Sequence, residues 1–167
     1  MLDLRSDPDY STEFAKRRRL VAVMVEKIRS ANLETRTLLH SFDWKLLEEC
    51  QRQAPEMPTP FLTQLPSSPD EVGEDSSKSV APNFKGRIDK ISVLVHEAGG
   101  SLWCPNVRDI TAQGIQRAKE LGLCVVVWTV NEPNDIEAMI KLRVDAIVSD
   151  YPGRVQQKLV NCGMEWI

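Results

Sequence analysis

The 167-residue sequence is 42% hydrophobic and 27% charged, with a formal net charge of -3. That apolar share suits one globular domain with its own core. The acidic balance supplies no basic field to gather nucleic acid, and no run of about 18 apolar residues is present to span a bilayer.

The first predicted element is a short strand over residues 2–5, Leu-Asp-Leu-Arg. A helix follows in which Phe14, Val21, Met24, Val25 and Ile28 recur at helical spacing and form one inward stripe. Lys16, Arg17, Arg18 and Arg19 face away from it as a solvated basic stripe rather than a nucleic-acid site. A strand is predicted over 37–42, then a helix capped by Asp43 with Leu46, Leu47 and Cys50 inward, then a strand over 61–64.

Residues 65–85 turn to Pro, Ser, Asp, Glu and Gly, a composition that buries little surface and predicts a long flexible loop insertion. A helix over 88–97 carries Ile88, Ile91 and Val95 inward, stops at Gly99-Gly100 and leads to the short segment 101–103. His96, with nothing at ligand spacing, reads as an ordinary helix residue.

Thr111 caps the next helix, which places Ile115, Ala118 and Leu121 inward and has Gly122 just past its end. The β-branched run over 123–129 predicts a strand buried on both faces, as in parallel sheets covered by helices. Pro133 suits a first helical turn, Ile136, Met139 and Ile140 form that helix's inner side, and a strand over 144–149 completes a βαβ unit. Asn131 and Asp150, after these strands, are read first as helix caps, with orienting the loops there as the alternative. Cys50, Cys104, Cys124 and Cys162 are too scattered for a metal or redox motif and are read as free thiols, Cys124 as a small hydrophobe.

Five strands alternating with helices admit two architectures, a doubly wound open sheet or part of a (β/α)8 barrel. Periodicity does not choose between them.

Specific motifs do. Residues 118–123 (Ala-Lys-Glu-Leu-Gly-Leu) lead into Trp128-Thr129-Val130-Asn131, and 144–152 reads Val-Asp-Ala-Ile-Val-Ser-Asp-Tyr-Pro. Upstream stand His40-Ser41-Phe42-Asp43-Trp44 and Trp103-Cys104-Pro105-Asn106. In this order they resemble the glycerophosphodiester phosphodiesterases, over nearly the whole chain apart from 65–85. Arg143, Ala146 and Ser149 depart from the family's closing strand, and Arg143 stands where a left-handed helix end favours glycine.

The resemblance implies an α/β fold, a partial TIM (β/α)8 barrel of about the last five βα units with the N-terminal units missing. It implies a phosphoric diester hydrolase, producing glycerol 3-phosphate and an alcohol from glycerophosphodiesters in lipid and glycerol metabolism. Residues 2–5 resemble the strand whose acidic residue binds a divalent cation and whose basic residue faces the phosphate, which makes Asp3 the metal candidate and Arg5 a substrate candidate. Trp128 matches the family's pocket tryptophan, and His40 stands at a strand end facing the site.

Family members also carry a His-Arg-Gly strand end, a Glu-x-Asp pair and a further histidine, none of which occurs here. No catalytic residue is therefore assigned. The resemblance implies Ca²⁺ or Mg²⁺ as cofactor, not held by this chain alone, since one carboxylate is too few for a hard cation. The expected behaviour is an inactive fragment that self-associates through open barrel edges. The chain as it stands reads as cytoplasmic, with any signal peptide in the missing part. The alternative is a non-catalytic α/β binding or interaction module that kept the fold.

Overall fold

A computed structural model describes residues 1–5, 13–65, 82, 84 and 90–164, and in them six parallel strands alternate with six α-helices. In chain order they are β1 (Leu2–Asp3), α1 (Glu13–Ser30), β2 (Leu39–His40), α2 (Trp44–Gln53), β3 (Pro60–Thr63) and α3 (Ile91–Glu97). There follow β4 (Leu102–Pro105), α4 (Ala112–Glu120), β5 (Cys124–Val127), α5 (Pro133–Lys141), β6 (Ala146–Ile147) and α6 (Pro152–Asn161). The expected five strands are corrected to six. The short segment at 101–103 continues to Pro105 and is a full sheet member, paired with β3 on one side and β5 on the other.

Every neighbouring pair is parallel, in the order β1-β2 and β3-β4-β5-β6. The two groups are joined where Ser41 bridges Phe61, with the Leu39 N–H donating to the Pro58 carbonyl at 3.0 Å and the Leu62 N–H to the Ser41 carbonyl at 3.2 Å. The strands therefore lie side by side in sequence order. A doubly wound sheet would reverse that order at a switch point, and no reversal occurs among the described strands. The α/β fold is TIM-barrel-like. No helix among the described residues is long and apolar enough to cross a membrane.

Strand alternation gives the sheet two unlike faces. On the helix side, Leu4 and Leu39 pack with Val21, Val25, Ile28, Leu46 and Cys50. Phe61, Trp103, Val125 and Val127 pack with Leu47, Val95, Ile115, Ala118, Ile136 and Met139. Adjacent residues of α2, Leu46 and Leu47, thus join the two clusters. The opposite face carries Asp3, His40, Cys124, Val126 and Trp128. For β5 the expectation of burial on both faces is corrected: Val125 and Val127 are fully buried, whereas Cys124 and Val126 are only half-buried. Among the described residues, helices cover only the other face.

In α1 the apolar stripe holds at Val21, Val25 and Ile28, but Phe14 is 71% exposed. It sits about two turns before the stripe meets α2 and lines a surface groove with Lys45, Glu48 and Arg52 instead. Arg17 does not face away either. Its Nε donates to the Asp43 Oδ2 at 2.7 Å, and Asp43 is almost wholly enclosed. Most of 65–85, like Ile88, lies outside the described residues. Phe84 is described and buried, tilted against Trp44 at 5.5 Å, so the segment contributes to the core at that point.

The predicted punctuation holds at several ends. The Asp43 Oδ1 accepts from the Lys45 and Leu46 N–H groups, the Thr111 Oγ1 accepts from the Gly114 N–H, and Pro133 opens α5. Gly122 stands at φ 74° and Arg143 at φ 54°. A side chain in that left-handed region costs about 1 kcal/mol or more, which glycine does not incur. Arg143→Gly is accordingly expected to stabilise the chain by about 1 kcal/mol, read as a higher urea midpoint with an unchanged slope.

Candidate functional site

The concave face and the C-terminal strand ends bring together side chains far apart in sequence. Asp3 is in register with His40 across the β1–β2 ladder, so both stand on the face opposite Leu4 and Leu39. Arg5, two residues on, returns to the same side and its Nε donates to the Asp3 Oδ2 at 2.9 Å. Phe42 repeats the direction of His40. Its ring meets Trp128, just past β5, edge-on at 5.6 Å between centroids.

That contact reports curvature. β2 and β5 are separated by two strands, which in a flat sheet would set them roughly 14 Å apart. Side chains that stand off the sheet touch over such a span only if it is concave toward them. The Trp128 indole is fixed by its Nε1–H donating to the Cys104 carbonyl at 2.7 Å, and its face remains half-exposed to the hollow. The Trp128–Thr129 peptide is cis.

The β2 end is pinned from behind. The Ser41 Oγ–H donates to the Leu4 carbonyl at 2.6 Å and accepts from the Asp43 N–H at 3.0 Å. The β1 end, the β2 end and the cap of α2 thus move as one piece, with His40 and Phe42 on either side of the pin.

Burial lowers the His40 imidazole below its ordinary value, against the pull of the nearby Asp3 carboxylate. Its Nδ1 is enclosed without a hydrogen-bond partner among the described residues. Arg5 is 87% exposed, so its pair with Asp3 adds little to stability and leaves the outer guanidinium N–H groups available.

Asn131 and Asp150 do not cap the helices beside them, which corrects the first reading. Neither α5 nor α6 has a side-chain cap. The Asn131 Nδ2 donates to the Asp150 Oδ2 at 2.8 Å, and its Oδ1 accepts from the Asp150 N–H at 3.0 Å. The loops after β5 and β6 are thereby tied together, with Arg154 donating to the Asn131 carbonyl at 2.9 Å. Asn and Asp at adjacent strand ends are the only sequence signal for such a tie, and it is the same signal as for a cap.

Asp3, Arg5 and His40 lie together at the β1–β2 end, and Trp128 is linked to that end through Phe42. His96 is exposed on α3, away from them. The groove of about 470 Å³ along α1 and α2 is lined by Phe14, Arg17, Lys45, Glu48, Glu49 and Arg52 and includes none of the four.

Hard divalent cations want about six or more oxygen ligands. Here Asp3 is the one acidic candidate, one of its oxygens holds Arg5, and no group of three or more His, Cys, Asp or Glu converges among the described residues. The described residues do not by themselves fit such a cation.

The cysteines are free. Burial pushes the Cys50 and Cys104 thiols up to about 12. At pH 8 only about one in ten thousand of either would be thiolate. A colorimetric thiol titration of the native chain is expected to modify exposed Cys162 rapidly and to reach Cys50 and Cys104 only in denaturant.

The sequence profile of the glycerophosphoryl diester phosphodiesterase family matches residues 6–154. A curated glycerophosphodiester phosphodiesterase from Caldanaerobacter subterraneus is 24% identical over 129 residues, 77% of this chain and 44% of that protein. A crystal structure from Silicibacter pomeroyi, of a protein proposed to be a glycerophosphoryl diester phosphodiesterase, is 42% identical with a TM-score of 0.84, covering 100% of this chain and 52% of that one. An Oleispira antarctica phosphodiesterase in complex with the product sn-glycerol-3-phosphate superposes with a TM-score of 0.62 at 18% identity, covering 86% and 50%. The chain spans about half the length of these relatives.

Proposed function

Because the chain belongs to the glycerophosphoryl diester phosphodiesterase family, we propose that its six strands are the C-terminal staves of an eight-stranded barrel whose completed site hydrolyses glycerophosphodiesters to glycerol 3-phosphate and an alcohol. The observation that supports this reading is the placement of Asp3, Arg5 and His40 together at the β1–β2 end, with Trp128 reached through Phe42. Arg5 would engage the phosphate through its outer N–H groups, the planar fork matching two phosphate oxygens. Trp128, backed by Phe42, would pack against the glycerol or alcohol carbons.

The divalent cation of the completed enzyme, Ca²⁺ or Mg²⁺, would neutralise charge on the phosphoryl oxygens, with Asp3 as this chain's contribution to its ligands. The general acid and base would be supplied by the two strands that precede β1 in the barrel. By itself the chain should be inactive.

It should also self-associate. Leu20, Val23 and Val160 are 43%, 50% and 59% exposed on α1 and α6, the helices of the first and last units. β1 and β6 are the edge strands of the described sheet, and unpaired parallel edges invite pairing. Light scattering after size exclusion should show a mass above that of one chain, and a monomer would contradict this point.

The functional reading is tested by a fusion in which the N-terminal strands of the Silicibacter pomeroyi relative precede residue 1. Release of glycerol 3-phosphate from glycerophosphocholine, dependent on Ca²⁺ or Mg²⁺ and reduced in Arg5→Ala, is expected. A folded fusion without turnover would overturn it.

A further inference from the structure

Nothing in the fold uses the ring nitrogens of His40. Its Nδ1 is enclosed without a partner, and Nε2 also makes no hydrogen bond to any described residue while not being enclosed. The two nitrogens are therefore unlike: Nδ1 is enclosed and Nε2 is not. A buried N–H without an acceptor forfeits a full hydrogen bond, and orphaned buried donors are rarer than under-satisfied acceptors. The bare lone pair therefore belongs on Nδ1 and the proton on Nε2.

The mouth thus contains an N–H donor beside the Asp3–Arg5 pair, Asp3 being the register partner of His40. A second N–H donor next to a guanidinium adds hydrogen-bonding capacity for an oxyanion. An oxyanion with several oxygens, as in a phosphate ester, can take Arg5 on one oxygen and His40 on another.

We propose that His40 is a phosphate-binding residue of this mouth, donating from Nε2–H to a phosphate-ester oxygen alongside Arg5. The inference rests on the Arg5 reading above and adds a second donor to it.

The test uses the whole chain with ¹⁵N-labelled histidine and long-range ¹H–¹⁵N correlation spectra, titrated with sn-glycerol 3-phosphate, inorganic phosphate or glycerol. The free chain should show His40 as the Nε2–H tautomer. Both phosphate probes should move the Nε2 resonance saturably, and glycerol should not. His40→Ala should weaken phosphate binding about tenfold, the worth of one hydrogen bond to a charged group, while His40→Gln, which keeps a donor, should restore most of it.

An Nδ1–H tautomer would overturn the proposal. So would Arg5-dependent binding that leaves Nε2 unmoved, and that result would spare the Arg5 reading. Binding unaffected by Arg5→Gln, or no saturable binding of either phosphate probe by the wild-type chain, would overturn both.

Discussion

Asp43→Ala should destabilise the chain by about 3–5 kcal/mol, the range found when one partner of a buried ion pair is removed. Asp43 is 1% exposed and does two jobs at once. Its Oδ1 accepts from the Lys45 and Leu46 N–H groups at 3.0 and 3.2 Å, capping α2. Its Oδ2 accepts from the Arg17 Nε at 2.7 Å, where Arg17 is itself only 15% exposed. Alanine removes the acceptor of two helix N–H groups and the Oδ2 acceptor of a largely enclosed guanidinium together. Asp43→Asn can keep the cap through its Oδ1 but turns an amide NH2 toward the Arg17 Nε–H, so its cost reports the loss of the ion pair alone. Urea unfolding of the two variants, with the intermediate double variant Arg17→Met/Asp43→Asn, separates cap from ion pair.

The second large effect is steric. A Cβ added at Gly100 would lie 2.7 Å from the Val95 Cγ1, 2.9 Å from the Phe61 Cδ2 and 2.9 Å from the Val95 carbonyl oxygen. The carbonyl cannot yield without breaking its bond from the Gly100 N–H at 2.9 Å, and Phe61 and Val95 are fully buried. Gly100→Ala should therefore cost about 2–3 kcal/mol, as overpacking a rigid core does. Thermal unfolding measures it directly. Gly122→Ala, whose Cβ would meet nothing within 4 Å, isolates the cost of φ 74° alone and should be the milder change, about 1 kcal/mol.

These sites show what was legible in the sequence. The caps at Asp43 and Thr111, the stop at Gly122 and the left-handed Arg143 were readable because each is a local decision between a side chain and its own backbone. The inward residues of α2, α4 and α5 were readable because period 3.6 separates two faces on a helix packed along one side. Phe14 was misread because periodicity gives direction but not where a partner helix ends. Arg17 was misread because it was grouped with the basic run, although its spacing from Phe14 and Val21 puts it on the inner stripe; its carboxylate partner is 26 residues away.

At β5 the apolar run gave the strand but not its exposure. A run of Val is compatible with two covers, and only the tertiary arrangement shows that helices lie on one side. The site behaved the same way. The residue types of Asp3, Arg5, His40 and Trp128 were visible in the motifs, but the contact between Phe42 and Trp128 depends on sheet curvature. The Asn131–Asp150 tie depends on the β5–β6 pairing, and identical residues would also suit helix caps.

The most direct test of the account is an assay of the purified chain, unfused, on glycerophosphocholine with Ca²⁺ and then Mg²⁺, following glycerol 3-phosphate. On the proposed reading, with the acid, the base and most of the cation's ligands outside this chain, there should be no turnover above the metal-only blank. Metal-dependent turnover that disappears in Asp3→Ala would contradict it.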